Sequence, residues 1–259
     1  MIHKFLTNTP NRYSLYGLLA VFDATELPAS SASLNKWYAV NDHDHYYNIH
    51  GSNYIYSWNW NCSTSNSQFS LYTDSNGCKG ARRLSDNINY WFLQNTSTNI
   101  YLASLMNSNQ FSIQMTCTYE DFTSYKGMFG LHQSGNYDGV IGGQYESGYV
   151  KFGIFSGGTA YTVNIATANM PTAGTRFNWA LTCNNKLISL YINNELKGTV
   201  STPNNISLSS TLGVTLGCAY ANSNRFTSST FYSVLLYNKA LSTSEISHNY
   251  FVDKRRFKL

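Results

Sequence analysis

The strongest constraint on this chain lies in its last ninety residues, where three alternating runs separated by turns lead into a single capped helical pattern. Trp179, Leu181 and Cys183 alternate with polar or small neighbours, the period of a half-buried strand. Asn193-Asn194 stands between two apolar runs, where an Asn pair tolerates the positive φ of a hairpin turn. Ser242-Thr243-Ser244-Glu245 has the spacing of a capping box, placed between Ala240-Leu241 and Ile246, and predicts a helix start.

In this order the segment resembles the carboxy-terminal half of a concanavalin A-like, laminin-G-like jelly-roll domain. The residues that carry the likeness are Trp179-Ala180-Leu181, the hairpin Tyr191-Ile192-Asn193-Asn194, the strand from Leu212 to Gly217, and Tyr237-Asn238-Lys239-Ala240-Leu241-Ser242 followed by Glu245-Ile246. Asn194 stands where the family usually has Gly, and both suit a positive-φ turn. Gly17-Leu18-Leu19-Ala20 with Asp23 resembles the family's opening strand, so the likeness spans about residues 15–257 and is sharper after 111. It implies an all-β, two-sheet antiparallel jelly-roll sandwich with one short C-terminal helix. The expected organisation is an arm over 1–14 and one domain over 15–259, with a variable insertion near 40–86.

Upstream, Phe111, Ile113, Met115, Cys117 and Tyr119 alternate with Ser112, Gln114, Thr116 and Thr118, which predicts another half-buried strand. Further short runs follow at sandwich-like spacing, and the Gly pairs at 142–143 and 157–158 mark turns or bulges. Only 12% of the chain is charged, whereas about thirty Asn, about thirty Ser and 21 Tyr are present. Polarity therefore comes from amides and hydroxyls, which suits hydrogen-bonded and stacked contacts. The longest apolar run, Leu15 to Phe22, is too short to span a bilayer, and no small-residue cleavage site follows it. No signal peptide and no membrane insertion are expected. The basic run Lys254, Arg255, Arg256, Lys258 reads as a solvated tail or a contact with an acidic neighbour, not as a nucleic-acid site.

The odd count of five cysteines, with no Cys-x-x-Cys, argues against a disulfide framework and a zinc site. Cys117, Cys183 and Cys218 read as small buried hydrophobes, while a Cys62–Cys78 pair stays open.

Catalysis by a carboxylate pair needs two acids on one strand face. The five Glu are 26, 120, 146, 195 and 245, none within four positions of another, and Glu120 and Asp121 are adjacent and so would point apart. A glycan-degrading enzyme is disfavoured and no catalytic residue is assigned. The ligand-binding candidates are Tyr54, Tyr56, Trp58 and Trp60, which share one face of an extended segment, with Asn59 to hydrogen-bond sugar hydroxyls and Arg82 to grip an acidic group. The same aromatic stripe also fits core packing or a subunit interface. Asp42 and Asp44 are oxygen ligands on one face of an extended segment, and the resemblance adds Asp23 and Asp138 as positions for Ca2+.

The expected function is a non-enzymatic binding module for host-surface carbohydrate or a receptor. The closing run Ile246 to Phe257 resembles domain endings in bacteriophage and gut-bacterial surface proteins, which implies a virion surface protein such as a tail, fibre or capsid decoration. The alternative is a purely structural virion assembly protein without a sugar site. The partners implied are glycan or receptor, other virion proteins, and further copies of the chain.

Overall fold

The computed structural model describes residues 13–14, 16–24, 36–38, 58–62, 69–83, 91–95, 109–122, 125–132, 139–204, 206, 214–219 and 227–259. Its strands are β1 (Leu18–Asp23), β2 (Lys36–Tyr38), β3 (Trp58–Cys62), β4 (Phe69–Thr73), β5 (Lys79–Arg83), β6 (Trp91–Asn95), β7 (Gln110–Tyr119) and β8 (Phe129–His132). They continue with β9 (Gly139–Glu146), β10 (Tyr149–Ser156), β11 (Thr159–Ala166), β12 (Phe177–Asn184), β13 (Leu187–Ile192), β14 (Glu195–Ser201), β15 (Val214–Leu216) and β16 (Ser229–Tyr237). One long helix, α1 (Thr243–Phe257), closes the chain. Among the described residues no helix is long and apolar enough to cross a membrane.

Two antiparallel sheets face each other, the layered arrangement expected of a jelly roll. The first runs β14-β13-β12-β7-β16-β5-β4, and β1 pairs with the second half of β16 where β5 leaves off. The second runs β11-β10-β9-β8-β15-β6-β3-β2. Residues 69–83, which carry few apolar anchors, form the β4–β5 hairpin. Its turn is tied by Asp74, whose Oδ1 accepts from the backbone N–H of Asn76 and Cys78 at 2.9 Å each. The expected Asn193-Asn194 hairpin is present, with φ of 49° and 67°, and Gly157-Gly158 turns β10 into β11 with φ of 57° and 77°. Paired positive φ values match the right-handed twist of the flanking strands, and Asn and Gly are the residues that adopt them at least cost.

The core lies between the sheets. Phe111, Ile113, Met115 and Cys117 from β7 and Trp179, Leu181 and Cys183 from β12 all point inward with no exposed surface. Trp179 is wedged against two rings of the opposite sheet, Phe152 at 5.3 Å and Phe129 at 6.3 Å between centroids. Gly142 on β9 makes room for the indole: a Cβ there would sit 2.6 Å from Trp179 Cη2. The other Gly of that pair, Gly143, has φ 73° beside the β9–β10 bulge.

Two features differ from the sequence expectation. β7 and β12 are buried on both faces and not half-buried, because α1 lies over the outward side of the first sheet. Ser112, Gln114, Thr116, Asn178 and Ser233 are all inaccessible there. The basic run is not a tail. Lys254, Arg255 and Arg256 form the last turn of α1, and Lys258 caps it in the left-handed region, with φ 53°. Cations at that end complement the helix dipole, so the run is a terminator of the helix as well as its continuation. At the other end the predicted capping box is complete, with Ser242 and Glu245 each bonding the other's backbone N–H.

Candidate functional site

The first sheet's outer face is closed by a polar layer. Asp253 of α1, with no exposed surface, accepts hydrogen bonds from Tyr13 Oη (2.6 Å), Thr116 Oγ1 (2.6 Å), Ser233 Oγ (2.7 Å) and Asn178 Nδ2 (3.1 Å). Asn249, one turn earlier, donates to Gln114 Oε1 and Tyr237 Oη, and its own Oδ1 accepts from the Ser14 N–H at 2.7 Å. Tyr13 and Ser14, the end of the expected arm, are thus docked on α1. Burial, aided by the nearby Asp23 charge, outweighs these hydrogen bonds and pushes the Asp253 carboxyl up to about 6. Burial likewise holds the Tyr13 and Tyr237 hydroxyls well above their usual range.

Asp23, a calcium candidate, ends β1 beside this layer. It is 2% exposed, and Oδ2 lies 2.5 Å from the Arg256 guanidinium. A cation of the protein already occupies that carboxylate, so Asp23 does not fit a calcium ligand. Asp42, Asp44 and Asp138 lie outside the described residues. Among the described residues no group of three or more metal-ligating side chains comes together.

Arg82 lies on β5 opposite Thr230, past the end of the ground covered by α1. Its guanidinium stacks 4.6 Å from the Tyr72 ring centroid and lies 3.3 Å from Glu120 Oε1, both partly open to solvent. Nearby, Phe122 stacks with Tyr145 at 6.1 Å, and Asp121 pairs with Lys126. This corner combines aromatic, amphipathic and charged groups; its charges are ion-paired, while Arg82 Nε and Asp121 Oδ1 are buried with no hydrogen-bond partner among the described residues.

Trp58, Asn59 and Trp60 lie on β3; Tyr54 and Tyr56 fall outside the described residues. Cys62 stands opposite Trp91, Trp91 opposite Leu216, and Leu216 opposite the buried Phe129. Trp60 and Trp58 are in phase with Cys62 and so occupy register positions of that core-side row. Asn59 and Asn61 occupy the alternate register positions, in a row that continues through Phe92, Thr215, Gly130, Ile141 and Gly153 to Thr162. The fold therefore places Asn59 on the opposite side of the sheet from the two Trp positions. The site set does not converge as a unit: Arg82 belongs to the first sheet, β3 to the second.

The open ground is the outward side of β10 and β11 with the Glu146 end of β9; further along β9, Ile141 and Gln144 are 0% and 2% exposed. By register Tyr149, Glu146 and Ala166 form one cross-strand row and Lys151, Gln144 and Asn164 the next. Tyr149 is 47% exposed. Lys151 Nζ lies 2.6 Å from Glu146 Oε2, and Thr162 Oγ1 donates to Asn164 Oδ1 at 2.8 Å. A tyrosine ring, a fixed ion pair, an amide and a hydroxyl on one rigid face can stack on a sugar ring and exchange hydrogen bonds with its hydroxyls. The alternation of Val150, Phe152 and Ile154 with Tyr149, Lys151 and Gly153 is readable in sequence. That this face stays open while the other is covered is a tertiary fact no local pattern carries.

Each described acid has a partner. Asp74, Glu120, Asp121, Glu146, Glu195, Glu245 and Asp23 each face a Lys or Arg within 4 Å, and Asp253 is hydrogen-bonded under α1. Cys78, Cys117, Cys183 and Cys218 are free and buried. Burial raises the Cys117 thiol and pushes Cys183 up to about 12, far from a nucleophilic thiolate.

Comparison with known proteins agrees with this architecture. Domain 4 of an extracellular GH43 arabinanase from Geobacillus stearothermophilus, solved in complex with arabinotriose, aligns with TM-score 0.63 and 14% identity, over 89% of this chain and 96% of that one. The binding domain of botulinum neurotoxin DC, solved in complex with rat synaptotagmin II, aligns with TM-score 0.61 and 12% identity, over 91% of this chain and 51% of that one. That of serotype D/C gives TM-score 0.60 at 11% identity, over 91% and 52%. This chain thus spans about half the length of those neurotoxin chains. At such identities the likeness is one of fold. No curated protein matches the chain. The family model of the concanavalin A-like lectin/glucanases superfamily matches residues 94–247, more than half of the chain, from the end of β6 into α1. The Trp179 strand, the Asn hairpin and the Ser242–Glu245 helix cap all fall within that match, and the protein belongs to the concanavalin A-like lectin/glucanase superfamily.

Proposed function

We propose that this protein is a non-enzymatic carbohydrate-binding module and that it presents the outward face of β9–β11 to glycan. The observation that carries the reading is the asymmetry of the sandwich. α1 covers the first sheet over β7, β12 and β16, while the other sheet exposes Tyr149 beside Lys151–Glu146 and Thr162–Asn164. The reading is supported by the internal pairing of every described carboxylate, which leaves no acid pair free to flank a glycosidic bond. It is also in keeping with the arabinanase domain, which was solved with arabinotriose, and with a botulinum binding domain solved with SialylT. As its setting we infer a bacteriophage virion surface in contact with the host. The support for that placement is the sequence likeness of the closing run.

Binding of the intact protein to a glycan array and to bacterial cells tests the reading, with Tyr149→Ala as the informative variant. Loss of an exposed stacking ring should weaken binding about 3- to 10-fold without changing stability. Binding untouched by Tyr149→Ala would remove the β9–β11 face as the site. No binding to any glycan or cell would remove the lectin function. Oligosaccharide release from a glycan would restore an enzyme.

A further inference from the structure

α1 turns to solvent a face that the fold uses only in part: Phe251 packs edge-on against Tyr250 at 5.4 Å between centroids, Lys254 Nζ lies 5.7 Å from the same ring, and Lys258 Nζ donates to the Asn76 carbonyl at 2.7 Å. Phe251, Lys254 and Arg255 are all exposed at positions i, i+3 and i+4, so they form one stripe on the helix surface, which the exposed cap residue Lys258 extends. Phe251 is 48% exposed, among the most open large apolar side chains described. The nearby acids are withdrawn from this stripe. Asp23 is bound to Arg256 and Asp74 to Arg176, each at 2.5 Å, with carboxylate side chains only 3% and 12% exposed. Among the described residues no carboxylate pairs with Lys254, Arg255 or Lys258. The helix dipole accounts for cations at a C-terminus. It does not account for an open phenyl ring placed one turn before them.

We infer that this stripe is a second ligand site, for an acidic polysaccharide carrying carboxylate or sulfate groups. Arg255 forks onto one acidic group and Lys254 meets another, while the flat ring of Phe251 takes the C–H face of a sugar between them. The stripe is narrow, about 10 Å long from 251 to 258 at the helical rise. That suits an extended polyanion better than a protein partner. Protein interfaces need broad contact, and their cores are depleted in Lys. The site goes beyond the glycan platform on β9–β11, lies on the opposite sheet and does not depend on it.

The test uses the intact protein with heparin and hyaluronan as probes, poly-glutamate and single-stranded DNA as non-sugar polyanions, and calorimetry as the readout. Saturable binding to at least one of the two polysaccharides is expected. Lys254→Ala combined with Arg255→Ala should weaken it at least about 10-fold, and Phe251→Ala about 3- to 10-fold at unchanged melting temperature. Lys197→Ala, a cation on β14, is the charge control and should leave binding unchanged. The inference is overturned if neither polysaccharide binds or if the double variant binds as well as the parent. It is also overturned if poly-glutamate or DNA binds as tightly with Phe251→Ala neutral, since that would reduce the stripe to plain charge attraction.

Discussion

Asp253 should make this protein more stable in mild acid through its own titration, the reverse of the ordinary carboxylate. Its folded-state pKa is pushed from 3.8 to about 6 by burial. A raised acid binds its proton more tightly in the folded state, so folding gains as pH falls through 6 and the gain is complete near 4. Above 6 the native state carries a buried charge whose four neutral donors do not fully replace water. A shift of about two units corresponds to about 3 kcal/mol. Arg256, Asp23, Tyr13 and Glu245 also face this region, and Glu245 moves the other way. Burial works against its charge, but hydrogen bonds from Lys239 and Ser242 hold its pKa below the ordinary value. Its contribution is lost as pH falls and partly masks Asp253 in the wild type. The comparison is therefore between wild type and Asp253→Asn, by urea unfolding from pH 4 to 7.5, followed on buried tryptophan. The substitution removes the charge but sets its amide against Asn178 Nδ2, a mismatch of about 1–2 kcal/mol at every pH. The difference between the two proteins should therefore drift by about 2 kcal/mol across pH 4–6.5, in favour of the variant as pH rises. Parallel curves with a constant offset would show that Asp253 is not the raised group and that its hydrogen bonds fully compensate burial.

Two further substitutions test the packing. Ser242→Ala removes the side-chain acceptor of the capping box and should cost about 1 kcal/mol, read as a lower urea midpoint at unchanged slope. Gly142→Ala drives a methyl into the Trp179 ring and should cost about 1–3 kcal/mol with a change in tryptophan emission.

Much of the framework was legible because it rests on local rules. The alternation in β7 and β12 identifies their inward rows, the Asn193-Asn194 pair and the Ser242–Glu245 spacing mark turn and cap, and each appears where expected. The same alternation misleads about the outward rows. Ser112, Gln114, Thr116 and Asn178 have the polarity of a wet face, and a reading by period assigns them to solvent. Gln114, Thr116 and Asn178 meet Asn249 and Asp253, four apart on one helix face and more than sixty residues away in sequence, and Ser112 meets the backbone of Lys239 and Leu241 just before that helix. Nothing in the local pattern distinguishes a polar row facing water from one facing a polar helix. The basic run was misread for a related reason: composition showed charge, but the helix period that aligns Phe251 with Lys254 and Arg255 appears only once the helix is known to continue to Phe257. For the site, β10 alternates visibly, but which sheet is left uncovered depends on where α1 docks.

That docking also constrains where ligand chemistry can sit. A jelly roll has two outward faces, and covering one with apolar contacts would require an amphipathic helix. Here the contact is instead made through hydroxyls, amides and one carboxylate, with Tyr13 and Ser14 clamping the helix from the chain's other end. A polar seal of this kind is costly to open, because each group exposed without its partner loses a hydrogen bond inside a low-dielectric layer. The first sheet is therefore closed to a ligand over β7, β12 and β16, and stays open at the Arg82 corner, along β13–β14 with exposed Leu187 and Leu196, and on the solvent side of α1. In the proposed reading, recognition by flat stacking and hydrogen bonding falls to the second sheet, whose β10 and β11 positions are held by an unbroken ladder from Tyr149–Ala166 to Ser156–Thr159. A platform this rigid loses little entropy on binding, which is the condition under which a few weak contacts to a sugar add up to useful affinity.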